Sequence, residues 1–198
     1  MTKQEKPLYT LIPLDIFKAL IGVDDREEKT ARFCLVTATF AIEQYCKRRL
    51  LRKKHFERIE YHGDLFLPLG EYPVNKILAV FLNVNDELLE SEFYSVIPDC
   101  GTNEDISFSL SLSPALKRYR GLSAVKVVYW AGYAPDNVPV DLASACLELA
   151  AWNMNRYRGR RIGMTGNIRG AGKDGEHFEM SMPENVRQLL DPYRRKTI

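Results

Sequence analysis

The chain has 198 residues, 45% hydrophobic and 27% charged, with a formal net charge of +2. A chain of this size and composition builds its core without a metal or disulfide staple. No apolar run approaches the ~18–20 residues of a membrane span, and the polar start Met1-Thr2-Lys3-Gln4-Glu5-Lys6 has no apolar signal core. One domain over residues 1–198, made in the cytoplasm, is the expectation.

In chain order, Leu8 to Val23 reads as a short helix, with Leu14, Phe17, Ala19, Leu20 and Ile21 apolar. Asp24-Asp25 supplies a capping or turn signal before a longer helix from about Arg26 to Leu51. Along that helix Ala31, Cys34, Leu35, Ala38, Ile42, Tyr45 and Cys46 recur at spacings of three and four, one apolar stripe. Lys47, Arg48, Arg49, Arg52, Lys53 and Lys54 crowd its end, where positive charge complements the helix dipole.

The pattern then changes to strands. Phe56 to Tyr61 alternates, and His62-Gly63-Asp64 reads as a hairpin turn into Leu65-Phe66-Leu67. Pro68 and Pro73 mark edges or breaks, because proline cannot donate to a sheet ladder. Ile77 to Val84 is an apolar strand, turned by Asn85-Asp86 into a run ending near Ile97-Pro98. Ile106, Phe108, Leu110 and Leu112 alternate with serines, and Ala124 to Trp130 is the last strand. Short strands joined by tight turns imply an antiparallel meander.

Trp130-Ala131-Gly132-Tyr133 ends that strand and turns through Pro135, Asp136 and Asn137 into a helix from Pro139 to about Tyr157. Pro139 suits the first helical turn, where its missing N–H is not needed. Leu142, Ala145, Cys146, Leu149, Ala150 and Trp152 supply the apolar face, its alanines permitting close helix approach. A flexible loop over 158–181 leads to a terminal helix over 183–195.

The residues offer little chemistry. Cys34, Cys46, Cys100 and Cys146 form no CxxC pair and do not cluster with His55, His62 or His177, so metal-site spacing is absent. Gly170-Ala171-Gly172-Lys173-Asp174-Gly175 satisfies GxGxxG, but the dinucleotide fingerprint needs a strand before it and a helix after it. As a P-loop it has Asn167 in place of the first glycine and Asp174 in place of Ser or Thr. No catalytic residue, cofactor or metal is therefore assigned, and an enzyme reading rests on the glycine loop alone. Arg156, Tyr157, Arg158, Arg160 and Arg161 form a basic cluster able to grip phosphate, to dock protein, or simply to be solvated.

Charge is segregated along the chain. Residues 46–58 carry a net +6, residues 59–110 a net −9 and residues 152–198 a net +5. Opposite potentials of this kind steer head-to-tail contact and fix its register.

The ordered set of the Trp130–Tyr133 strand end, the Pro139 helix with its basic terminus, the glycine-rich loop and the Pro183–Tyr193 segment resembles the head–tail connector (adaptor) proteins of tailed bacteriophages. The front of the chain fits the same pattern, with Leu67-Pro68-Leu69 and Tyr72-Pro73-Val74 leading into a strand. The resemblance implies an α+β fold, predominantly an α-helical bundle with an inserted antiparallel β-meander. It is organised as helical 1–55, β-region 56–133, helical 137–157, flexible loop 158–181 and terminal helix 183–195. The β-region is longer than in small members of that family, which leaves the role of residues 56–125 open.

By the same resemblance the protein is a structural virion or prophage component. It forms a homo-oligomeric ring, commonly of about a dozen copies, beneath the portal protein. The ring receives a head-completion or tail-joining protein and lets double-stranded DNA pass, with no membrane involved. The expected location is the bacterial host cytoplasm during assembly and then the virion. Pro183, Val186, Leu189, Leu190, Tyr193, Arg194 and Arg195 are the candidate portal-docking residues, so deleting 180–198 is expected to spare the fold and abolish portal binding. Lys47, Arg48, Arg49, Arg52, Lys53, Lys54, Arg156, Arg158, Arg160 and Arg161 are candidate DNA or subunit contacts. A DNA-binding packaging factor is the alternative, with an unrelated enzyme behind it.

Overall fold

A computed structural model of the chain describes residues 8–82, 87–100, 106–119, 124–159 and 182–195. The chain forms two compact units, one from Met1–Lys47 together with Pro135–Ile198, the other from Arg48–Ala134.

The first unit is helical. Helix α1 (Leu14–Ile21) buries Phe17 and ends at Gly22, whose φ of 63° is the left-handed turn that glycine adopts without steric cost. Asp24 then caps a single 3₁₀ turn by accepting from the Glu27 N–H at 3.0 Å. Helix α2 (Glu28–Cys46) buries Ala31, Cys34, Leu35, Ala38, Ile42 and Cys46 along the expected stripe. Helix α3 (Val140–Arg158) buries Leu142, Ala145, Cys146, Leu149, Ala150 and Met154.

Thr39 meets Cys146 (Oγ1–Sγ 3.7 Å) and Phe33 meets Tyr157 edge-on at 5.9 Å, so α2 and α3 run antiparallel. Helix α4 (Glu184–Leu190) packs on α3 and α2 through Val186 and Leu190, both fully buried.

The second unit carries two antiparallel sheets. The larger, in order β1-β7-β3-β4, is built from β1 (Lys53–Glu60), β7 (Ala124–Ala131), β3 (Val74–Leu82) and the two-residue β4 (Glu87–Leu88). The smaller, in order β2-β6-β5, is built from β2 (Phe66–Pro68), β6 (Ile106–Leu112) and β5 (Tyr94–Cys100). Pro68 and Pro98 both sit in strands at the margins of this sheet, where a missing N–H costs no ladder bond. Val80, Leu82, Val125, Val127, Tyr129 and Ala131 from the large sheet join Leu67, Leu110, Leu112 and Leu116 in one buried cluster.

Two expectations are corrected. The fold is not predominantly a helical bundle: it is mixed, with four α-helices and seven strands among the described residues. Nor is the β-region a meander, because β1 pairs along its whole length with β7, which lies far away in sequence. Turn residues reveal where a chain reverses. Which strands become neighbours is decided by the faces that bury together, and the two sheets share one core.

The long helix also stops early, at Cys46, so the basic run is not its last turn. Lys47 takes the left-handed conformation (φ 54°). Beyond it, the Leu50 carbonyl accepts from the Tyr133 N–H (2.7 Å) and the Arg52 N–H donates to the Tyr133 carbonyl (2.8 Å). Backbone committed to the end of β7 is not available to continue a helix.

Candidate functional site

The end of β7 shows why the chain carries glycine at 132. Gly132 has φ of +101°, and a Cβ there would lie 2.7 Å from the Leu51 carbonyl carbon and oxygen. Its N–H donates to the Pro73 carbonyl at 3.0 Å. Only glycine permits this approach of three backbone segments.

Three residues earlier, within β7, Tyr129 is fully buried. Its hydroxyl donates to Glu57 Oε1 (2.7 Å) and accepts from the Glu71 N–H (3.1 Å), while Glu57 also accepts from the Gly70 N–H (3.1 Å). Burial, reinforced by Glu57, pushes the phenol pKa far up and keeps it protonated. This network was not foreseen from the sequence. The register sets His55 opposite Tyr129 and Glu57 two residues along, diagonal to it, so an inward-facing glutamate diagonal to an inward-facing tyrosine is the signal that finds the network once β1 is known to pair with β7. The His55 ring lies against Tyr129 at 5.7 Å, and its buried Nε2 has no hydrogen-bond partner among the described residues. Burial holds its imidazole pKa below the ordinary 6.5.

The basic residues near the first helix pair do different things. Arg48 is buried, 5% exposed, its Nη1 donating to the Tyr72 carbonyl (2.8 Å) and its guanidinium stacked 3.7 Å over the Tyr72 ring. As placed, it supports the fold and is not a surface contact. Lys47, Arg49, Arg52, Lys53 and Lys54 are exposed, with Arg52 lying 5.7 Å over Trp130.

Arg158 is held by Glu27 (Nη2–Oε2 2.6 Å, Nε–Oε1 3.0 Å), pinning the end of α3 to the turn after α1. Arg156 stacks 4.6 Å from Trp152 and, with Phe33, Cys34, Thr37, Asn153 and Tyr157, lines a small groove. Arg160, Arg161 and the GxGxxG stretch lie outside the described residues.

The terminal helix is knitted into its own unit. Pro183 precedes it as N-cap, Asn185 donates to Glu148, Tyr45 Oη donates to Asp191 (2.6 Å), and the Arg195 N–H donates to the Cys46 carbonyl (2.8 Å). Val186 and Leu190 are core residues, which overturns the expectation that deleting 180–198 spares the fold. Leu189 and Tyr193 are half-buried, and Arg194 is exposed beside Tyr45.

The larger sheet presents a second candidate surface. Register pairs Lys54 with Trp130 and Trp130 with Lys76, Phe56 with Val128 and Val128 with Ala79, and Arg58 with Lys126 and Lys126 with Phe81. Phe81 in turn pairs with Leu88. Residues opposed across a sheet share a face, and this face is the one away from the buried cluster. Phe56 is 64% exposed and Leu88 60%. Sequence reasoning named Lys54 here, but not Arg58, Lys76 or Lys126, and not the face.

Cys34 and Cys146 have thiols pushed up to about 11 by burial, so both stay protonated at neutral pH. No group of three or more His, Cys, Asp or Glu side chains placed to hold a metal occurs among the described residues. No helix among them is long and apolar enough to cross a membrane.

No protein-family profile and no curated protein matches the sequence. The fold is nonetheless found among solved structures. A chain from the neck of an empty gene transfer agent (GTA) particle, computed with C6 symmetry, superposes with a TM-score of 0.63 at 18% identity, over 98% of this chain and 94% of that one. A chain from the virion of a native GTA particle gives 0.60 at 18% identity, over 100% and 97%. A chain from the neck of a native GTA particle, computed with C12 symmetry, gives 0.58 at 19% identity over the same shares. These are phage-like particles, and the neck is their head–tail connector region.

Proposed function

We propose that the chain is a structural component of a phage-like particle, forming a ring between portal and tail that completes the head and lets double-stranded DNA pass. The observation that carries this reading is the likeness in fold, over nearly the whole of both chains, to chains from GTA necks. Those necks were computed with C6 and C12 symmetry, and a ring needs the unlike, mutually complementary surfaces that segregated charge supplies. Its role is assembly and not catalysis: the Cys34 and Cys146 thiols and the Tyr129 phenol are held protonated, and what the described residues offer outward is charge and apolar side chains.

In this reading the portal is met by the terminal segment. Leu189, Tyr193, Arg194 and Arg195 supply the contact, Pro183 sets the helix start, and Val186 and Leu190 hold the helix in place from within. The exposed Lys47, Arg49, Arg52, Lys53 and Lys54, with Arg160 and Arg161, serve subunit or DNA contacts.

Co-expression with the portal protein of the same particle, followed by negative-stain microscopy, tests the proposal. A ring seated on the portal is expected, weakened by Arg194→Glu. Binding to duplex DNA that falls steeply with salt, with no ring and no portal complex, would replace this reading with that of a DNA-binding packaging factor.

A further inference from the structure

The two margins of the larger sheet are unlike and complementary. At one margin β1 carries Phe56, 64% exposed, between the exposed Lys54 and Arg58 on the same outward face. Neither cation has an ion-pair partner among the described residues. At the other margin β4 carries Leu88, 60% exposed, and the chain runs on directly through the exposed Glu90 and Glu92. An exposed apolar side chain flanked by one sign of charge is an interface pattern: the apolar centre gives affinity, and the charges give register and partner choice. Here both halves of such a pattern belong to one sheet.

We infer that the β1 margin of one copy docks on the β4 margin of the next, Phe56 against Leu88, with Lys54 and Arg58 facing Glu90 and Glu92. The occupant of each margin is a second copy of this chain. Both complementary surfaces are present on the same unit, and they are different surfaces, which makes the contact heterologous and able to propagate until it closes. An isologous dimer would instead set cation against cation at one margin or anion against anion at the other, with a repulsive cost. The inference rests on the ring reading above and assigns that ring a specific contact.

Charge reversal tests it on the full-length chain. Lys54→Glu with Arg58→Glu makes one margin acidic; Glu90→Lys with Glu92→Lys makes the other basic. All four positions are exposed, and circular dichroism with thermal melting verifies that both variants fold. Self-association is followed by sedimentation velocity, alone and with the portal protein.

Each variant alone should associate at least ~10-fold more weakly than the natural chain, and an equimolar mixture should recover to within about 3-fold. Recovery is expected because alternating copies restore every contact. If the natural chain associates and both variants match it, the margins are not the contact, and the ring reading stands. If the variants weaken association but the mixture does not recover, the two margins are not each other's partners, and again only this inference falls. A natural chain that stays single at every concentration and on the portal overturns both.

Discussion

Gly132 and His55 show how much of the second unit hangs on single residues. At Gly132 any side chain meets the Leu51 carbonyl at 2.7 Å with the backbone at φ +101°. Gly132→Ala should therefore destabilise the fold by about 1–3 kcal/mol from the backbone conformation alone, more with the steric overlap, read as a lowered denaturant midpoint with unchanged slope. For His55, burial lowers the folded pKa below 6.5, helped by the nearby Lys53 and Arg49 and opposed by the Glu57 carboxylate. The unfolded chain thus takes up a proton, as pH falls through 6.5, that the folded chain resists. Stability from this site is complete above that pH and is lost below it. His55→Gln, neutral throughout, should flatten the fall in melting temperature between about pH 7 and pH 5, while an unchanged slope would assign the acid sensitivity elsewhere.

Among the elements, the terminal helix separates support from surface. Leu190 is fully buried and Leu189 beside it only half-buried. Leu190→Ala should cost ~2–5 kcal/mol by leaving a cavity, and Leu189→Ala much less. Equal losses in thermal or chemical denaturation would mean that the helix packs differently. The helices themselves were legible: the stripe at three- and four-residue spacing located the core faces of α2 and α3, and Pro139 located the start of α3 within a residue. The end of α2 was not, because Leu50 and Leu51 fit a helix by type, while the capture of their backbone by Tyr133 depends on a strand more than seventy residues on.

For the molecule as a whole, the proposed ring would join copies that carry a net +6 over 46–58 and a net −9 over 59–110, a contact that ionic strength should weaken. The screening length shrinks from about 10 Å at 0.1 M salt to about 3 Å at 1 M. Self-association should weaken by at least ~10-fold across that range in sedimentation or light scattering; association that strengthens with salt would point to apolar contacts alone. The candidate surfaces were half legible. The basic residues could be named from sequence, but their roles could not. Arg48 stacks on Tyr72 inside the fold, Arg158 is spent on Glu27, and Lys54 and Arg58 stand out beside Phe56.

By itself the sequence determined which residues are apolar and with what period, where α3 begins, and how charge is distributed. These are local properties, fixed by residue type and spacing. Tertiary structure alone decided that β1 lies beside β7, that Tyr129, Glu57 and Glu71 close one buried network, that Val186 and Leu190 are core, and that Phe56 with its flanking cations faces out. Each of these depends on bringing residues far apart in sequence onto one face. Strand period records only that a strand has two faces. Which face is buried, and beside which neighbour, is settled by the packing of the whole core.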